Sequence, residues 1–360
     1  MESMNDDAVL SVKKNKKKIF RYVFFILINV AVIIGMLIFE DKSGDKVAGS
    51  EAFFLLLKNP LYTVLALSMF FAIVVADTVV FRLLTKKING NCRLSACVNV
   101  SFLGRYYDRV TPWAMGGEPF QIFYLGKNGL STGDSCAVTM SRHIIRFFSV
   151  AVTVIIILAA SRIATNVYVM VAAVLSVFAG LIIPVFMLIC AFKPNIGFKI
   201  GNAIIGLLHK IKIVKNKEKA CETMHKNVEE FLTGVRFLSA NKSLIVVIGV
   251  CSLVELFANN SVPFFVMKAL GVAEIEYWNI FVLCIFVNYA SSFAPTPGGA
   301  GIAELSFYAI FAAHIDGGLL FWAVLFWRIC IFYIPVFIGF TMTVVDSVKK
   351  IVSLSKKKSE

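Results

Sequence analysis

The chain has 360 residues, of which 58% are hydrophobic, and its formal net charge is +14 at pH 7. Several apolar runs reach the ~20 residues that a helix needs to cross the bilayer core, which excludes a large soluble helical protein. The lysines lie in blocks beside these runs, which excludes a nucleic-acid module and is typical of the positive-inside distribution. The sequence therefore predicts an all-α polytopic membrane protein with about six full spans.

The first membrane half is predicted at 20–192, after a basic cytoplasmic N-terminus at 1–19. Its first apolar run is too long for a signal-peptide core, and so it stays in the membrane. The short apolar piece "AFFLLL" that follows indicates an interfacial helix. Full spans are predicted at about 20–39, 61–84, 137–160 and 167–192, and the segment 92–126 is too polar to cross simply.

A lysine-rich stretch at 193–242 is predicted to be a cytoplasmic linker between the two halves. Within it, "IGFKIGNAIIGLLHKIKIV" has the pattern of an amphipathic helix that lies on the membrane surface. The second half is predicted at 243–346, with spans at about 244–266 and 319–345, a broken segment at 277–314, and a basic tail at 347–360. We expect a bacterial cytoplasmic membrane protein with both termini in the cytoplasm.

Two motifs interrupt the apolar pattern, "TPWAMGGEPF" at 111–120 and "APTPGGAGIAE" at 294–304. Their prolines remove backbone donors, and their glycines permit tight turns and close helix approach. Full crossings here would put the lysine-rich segments on the wrong side. We therefore predict two re-entrant hairpins in an inverted-topology repeat; the alternative is two kinked helices. The predicted breaks are Pro112, Gly116, Gly117, Pro295, Pro297, Gly298, Gly299 and Gly301.

Ionisable residues gather around these motifs. Each costs ~2.5–3.5 kcal/mol at the centre of a membrane helix, so such residues pair with one another or line a pathway. Arginine matches phosphate oxygens, whereas glutamate holds an ammonium group or relays protons. The predicted headgroup cavity comprises Arg105, Arg109, Glu118, Arg142, Arg146, Glu255, Glu304 and Arg328. The alternative is structural ion pairing, which applies most to Asp77, Asp108 and Arg328.

No catalytic, metal or cofactor site is predicted. The sequence contains neither the G-x-x-x-x-G-K-[ST] nucleotide loop nor the G-x-S-x-G serine elbow. The eight cysteines form no C-x-x-C pair, and the four histidines form no H-x-x-x-H pair.

The stretches "RVTPWAMGGEPFQIFYLGKNGLS" and "APTPGGAGIAE" resemble the lysylphosphatidylglycerol synthase transmembrane-domain family. This family is the flippase-like N-terminal module of bacterial multiple peptide resistance factors, and the resemblance covers about residues 20–348. It implies a flippase that carries an aminoacylated phospholipid outward, with Glu118, Glu304 and Arg142 along the lipid path. The family often has an acid three residues after the matched arginine; here Ile145 stands there and forms no ion pair.

Full-length relatives also carry a cytoplasmic domain that transfers lysine from lysyl-tRNA to phosphatidylglycerol, and we expect a stand-alone form without it. The first hypothesis is a translocase for a lipid resembling lysyl-phosphatidylglycerol, linked to cationic peptide resistance. The alternatives are phosphatidylglycerol lysyltransferase activity, a membrane subunit of a separate lysyl-transfer enzyme, and a translocase for a glycolipid or polyprenyl-linked sugar. Expected partners are a membrane phospholipid, a cytoplasmic synthase and a second copy of the chain, with no nucleic acid.

Overall fold

The computed structural model describes residues 47–88, 92–160, 192–210, 216–292, 294–312, 314–315 and 317–359, with scattered positions between 178 and 190. The predicted span at 20–39 and most of the one at 167–192 lie outside these residues, as does the N-terminal segment 1–19.

The described part of the chain is helical and contains no β-strand. Two 3-10 turns, at Pro112–Ala114 and Pro297–Gly299, and one π-helical turn, at Ile329–Tyr333, interrupt the α-helices. The α-helices are α1 (Gly49–Lys58), α2 (Pro60–Ile88), α3 (Leu94–Val110), α4 (Gly117–Lys127), α5 (Thr132–Ala160), α6 (Pro194–Lys210), α7 (Lys217–Ser239), α8 (Lys242–Ala269), α9 (Tyr277–Ser292), α10 (Ile302–Phe311), α11 (Gly317–Arg328) and α12 (Ile334–Ser359).

Four of the described helical stretches are long and apolar enough to cross a membrane. They are Pro60–Ile88, Thr132–Ile157, Lys242–Ala269 and the continuous run Gly318–Asp346, which joins α11 to α12. They confirm the predicted spans at 61–84, 137–160, 244–266 and 319–345 and the all-α polytopic class. Helix α5 starts earlier than predicted because Ser131 Oγ accepts a hydrogen bond from Asp134 N at 3.0 Å and caps the polar first turn.

The two segments with Pro-Gly motifs each fold into a pair of short helices. At ~1.5 Å per residue, α3 and α4 are about 26 and 17 Å long, and α9 and α10 are about 24 and 15 Å long. Each is too short for the ~30 Å hydrocarbon core. Helix α3 packs against α4, and α9 packs against α10. Each pair is therefore a hairpin and not a kinked span.

The two halves repeat one order of elements. A long helix (α2 or α8) precedes a hairpin (α3–α4 or α9–α10), and a second long helix (α5 or α11–α12) follows it. Helices α2 and α8 pack along each other, and the 3-10 turns of the two hairpins are in contact. Hairpins that enter from opposite sides in an inverted-topology repeat would meet in this way.

The lysine-rich stretch folds into two helices, α6 and α7. Helix α6 is the predicted amphipathic helix, since Ile200, Ile204 and Leu207 are exposed along one face. Its position on the membrane surface stays a prediction. Helix α7 was not predicted, although Val228, Phe231, Leu232 and Val235 have the i, i+3, i+4, i+7 spacing of a buried helix face, and they pack against Ala137 of α5.

Candidate functional site

The two hairpin tips share a backbone conformation. In each, an extended Thr-Pro step leads into two residues with positive φ. These residues are Trp113 (φ 54°) and Ala114 (φ 52°) after Thr111-Pro112, and Gly298 (φ 61°) and Gly299 (φ 69°) after Thr296-Pro297. A left-handed conformation costs a non-glycine residue ~1–2 kcal/mol, so the surrounding structure holds Trp113 and Ala114 in place.

Gly116 and Gly117, two of the predicted break residues, lie beyond the turn. Gly116 has φ −84° and ψ −18° and immediately precedes α4. Its N–H donates to Thr111 Oγ1 at 2.9 Å, and the Gly117 N–H donates to Asp108 Oδ1 at 2.7 Å. A Cβ on Gly117 would collide with the Asp108 carboxylate. These glycines therefore allow the two legs of the hairpin to pack closely, while Trp113 and Ala114 make the turn.

The second tip is fastened to the last span by an ion pair. Glu304 accepts a hydrogen bond from Gly301 N at 2.7 Å and lies 2.6 Å from Arg328 Nε. Arg328 Nη1 also donates to the carbonyl oxygen of Gly298 at 3.2 Å. Pro295 is exposed just before the turn. Glu304 and Arg328 thus connect α10, the tip and α11.

Four of the predicted cavity residues form an ion-pair cluster with Asp77, which is fully buried on α2. Asp77 accepts a hydrogen bond from Arg142 Nε at 2.8 Å and also pairs with Arg105. Glu255 accepts a hydrogen bond from Arg105 Nη2 at 2.9 Å and lies 3.4 Å from Arg146 Nε. The cluster joins α2, α3, α5 and α8. This mutual pairing of three arginines and two carboxylates favours structural ion pairing, the alternative that the sequence left open for Asp77, while a role in a headgroup cavity stays a prediction.

Glu118, at the start of α4, has a partner that the sequence did not indicate. Its Oε1 lies 3.1 Å from His143 Nδ1 on α5. His143 packs on the ring of Phe147, one turn further along the same helix. No spacing motif marks His143, because only the packing of the hairpin on α5 brings residues 118 and 143 together.

A polar cavity of about 270 Å³ lies where the two tips meet. Its polar lining comes from Asp108, Arg109, Asn259, Asn288, Ser291 and Arg328. Among these, only Arg109 and Arg328 belong to the predicted site. For Asp108 the sequence left both a cavity role and structural ion pairing open. The amide and hydroxyl residues lie in apolar helices, and no motif in the sequence marks them.

Backbone irregularities occur at two residues that line this cavity, Ile331 and Asn259. Arg109 Nε donates to the carbonyl oxygen of Ile331 at 2.6 Å, within the π-helical turn, and Arg109 forms no ion pair with any carboxylate that the structure describes. Pro263 has no N–H, so it leaves the Asn259 carbonyl without its helical donor. The cavity therefore offers both donors and acceptors. The larger, mostly apolar groove of about 770 Å³ beside α7 lies apart from these charges.

Comparisons with known proteins place the chain among membrane proteins. The family profile described as the lysylphosphatidylglycerol synthase TM region matches residues 24–339. A UPF0104 membrane protein from Archaeoglobus fulgidus is 22% identical over 272 residues, which cover 67% of this chain and 73% of that protein. No solved structure matches the chain.

Proposed function

The chain belongs to the lysylphosphatidylglycerol synthase TM-region family, and on that premise we propose that it is a lipid translocase. Its substrate in this proposal is an aminoacylated phospholipid that resembles lysyl-phosphatidylglycerol, moved between the leaflets of a bacterial membrane. A cationic lipid delivered to the outer leaflet would repel cationic peptides from the cell surface.

The observation that carries the proposal is the polar cavity between two hairpin tips, one from each half of the chain. Its volume of about 270 Å³ lies near the lower end of ligand pockets, which suits a headgroup better than a whole lipid. The long helices meanwhile expose apolar side chains on their outer faces, such as Val64, Phe71 and Val75 of α2. The acyl chains would then stay in the bilayer while the headgroup passes through the protein.

The charges of the cavity suit both parts of such a headgroup. The arginines supply donors for phosphate oxygens, and Asp108 and the freed Asn259 carbonyl supply acceptors for an ammonium group. Movement of the two tips relative to each other would open the cavity to one side at a time, as in transporters with inverted repeats.

Glu304→Gln tests this proposal directly. Glutamine keeps an oxygen for the Gly301 N–H but removes the charge that pairs with Arg328. We expect the rate of lysyl-phosphatidylglycerol translocation in proteoliposomes to fall at least about tenfold, because the tip beside the cavity loses the ion pair that joins it to the last span. The matched control is Glu274→Gln in an exposed loop, which should translocate as the wild type does.

The lipid panel decides between the open hypotheses. Head-labelled lysyl-phosphatidylglycerol, phosphatidylglycerol and a polyprenyl-linked sugar are tested in parallel with the wild-type chain. If only the polyprenyl-linked sugar moved, the substrate would be that lipid and not an aminoacylated phospholipid. Lysyl transfer from lysyl-tRNA by the purified chain would instead establish lysyltransferase activity. Unchanged translocation by Glu304→Gln would show that the ion pair at the second tip has no role in lipid movement.

A further inference from the structure

We propose that the cavity between the tips contains a phosphate subsite formed by the indole N–H of Trp327 and the guanidinium of Arg328, with Arg109 on the facing hairpin. The inference deepens the proposed function and rests on it for the identity of the lipid. The anion chemistry itself rests on unsatisfied donors in the protein.

Trp327 and Arg328 each bury a donor that lacks an acceptor. Trp327 is 1% exposed, and its Nε1 has no hydrogen-bond partner among the described residues. Arg328 is 5% exposed; Nε faces Glu304 and Nη1 donates to Gly298, but Nη2 has no hydrogen-bond partner within the described part of the chain. A buried donor without an acceptor costs about 1–3 kcal/mol, so two of them on one cavity wall indicate a ligand with acceptor atoms.

The guanidinium of Arg328 lies against two aromatic rings. The Arg328 guanidinium carbon lies 5.1 Å from the ring centre of Trp327 and 5.3 Å from that of Phe332. Stacking between the two rings, together with the bonds to Glu304 and Gly298, restricts the guanidinium to one orientation. A preorganised arginine of this kind loses little rotamer freedom when it binds an anion.

The charge of the lining favours a phosphate over water. Arg328 is balanced by Glu304, whereas Arg109 has no ion-paired carboxylate among the residues described and bonds to carbonyl oxygens of Ile331 and Arg105. An anion in the cavity would compensate that charge and accept from several donors at once, since phosphate oxygens accept charge-assisted hydrogen bonds. Asp108, on the same lining, would disfavour a dianion and accept the cationic end of a zwitterionic headgroup.

The test compares two tryptophan variants of the purified full-length chain. Trp327 lines the cavity, and Trp327→Phe keeps an aromatic ring there but removes its unpartnered indole N–H. Trp322→Phe is the matched control, because its Nε1 donates to the Val47 carbonyl oxygen at 3.0 Å, away from the cavity. Affinities for dioctanoyl-phosphatidylglycerol, for dioctanoylglycerol and for inorganic phosphate are measured by native mass spectrometry and by the ligand-induced change in Tm.

We expect Trp327→Phe to bind dioctanoyl-phosphatidylglycerol about tenfold more weakly, since one hydrogen bond to a charged group is lost. Its affinity for dioctanoylglycerol, which has the same tails and no phosphate, should equal that of the wild type and of Trp322→Phe. The same loss for inorganic phosphate would support the subsite as a binder of free anions too. Equal affinity of the wild type and Trp327→Phe for both phosphate compounds would overturn the proposal.

Arg109→Gln serves as the second variant if Trp327→Phe does not fold, and it should weaken binding of the phosphate compounds alone. Translocation measured on the same samples separates the two proposals. Phosphate binding that depends on Trp327 without any lipid translocation would refute the proposed function and keep the subsite. Lipid translocation, together with phosphate binding that is unchanged in Trp327→Phe and Arg109→Gln, would refute the subsite and keep the proposed function.

Discussion

Asp77→Asn will lower the free energy of unfolding by about 3–5 kcal/mol, the usual cost of removing one partner from a buried ion pair. Asp77 is fully buried and pairs with both Arg105 and Arg142, so the amide leaves two buried guanidinium groups facing Glu255 alone. Because the cluster joins four helices from both halves, its loss weakens the whole membrane domain. Equilibrium unfolding in mixed detergent micelles measures the change.

Two further variants make this prediction specific to the cluster. Asp346→Asn repeats the chemical change at an exposed position of α12 and should leave the unfolding free energy within about 0.5 kcal/mol of the wild type. The double variant Asp77→Asn with Arg142→Gln should be less destabilised than the sum of the two single variants, because their side chains are direct partners. Additive effects would show that Asp77 and Arg142 are not coupled.

Gly298→Ala will reduce lipid translocation at least about tenfold and lower the unfolding free energy by about 2 kcal/mol. Gly298 has φ 61°, which an alanine adopts only with strain, and a Cβ there would collide with the ring of Phe332. The tip would have to withdraw from the last span and from the Arg328 hydrogen bond at 3.2 Å. Translocation in proteoliposomes and unfolding in micelles are measured on the same preparations.

Gly206→Ala is the matched control for that experiment. Gly206 lies inside α6, and no described atom would come within 4 Å of an added Cβ. Alanine is the better helix former by roughly 0.8–1.0 kcal/mol, so this variant should be as stable as the wild type or more so. Wild-type translocation by Gly298→Ala would show that the conformation of the second tip does not limit transport.

The sequence alone determined the class of the protein, four of its membrane helices and the existence of two hairpins. These features follow from local properties. A span needs a continuous apolar run of a given length, lysine blocks report the side of the membrane, and proline and glycine interrupt a helix wherever they stand. The family resemblance drawn from the motifs around Glu118 and Glu304 was confirmed for the same reason, since it rested on contiguous residues.

Only the tertiary structure decided which polar groups act together. Asp77 meets Arg142 from 65 positions away, and Arg109 reaches a carbonyl 222 positions away, distances along the chain that no spacing rule covers. Trp113 and Ala114 adopt positive φ without being glycines, in a turn that contacts the turn of the other tip. Ion pairing and the satisfaction of buried donors depend on separation in space, and that separation exists only once the helices have packed.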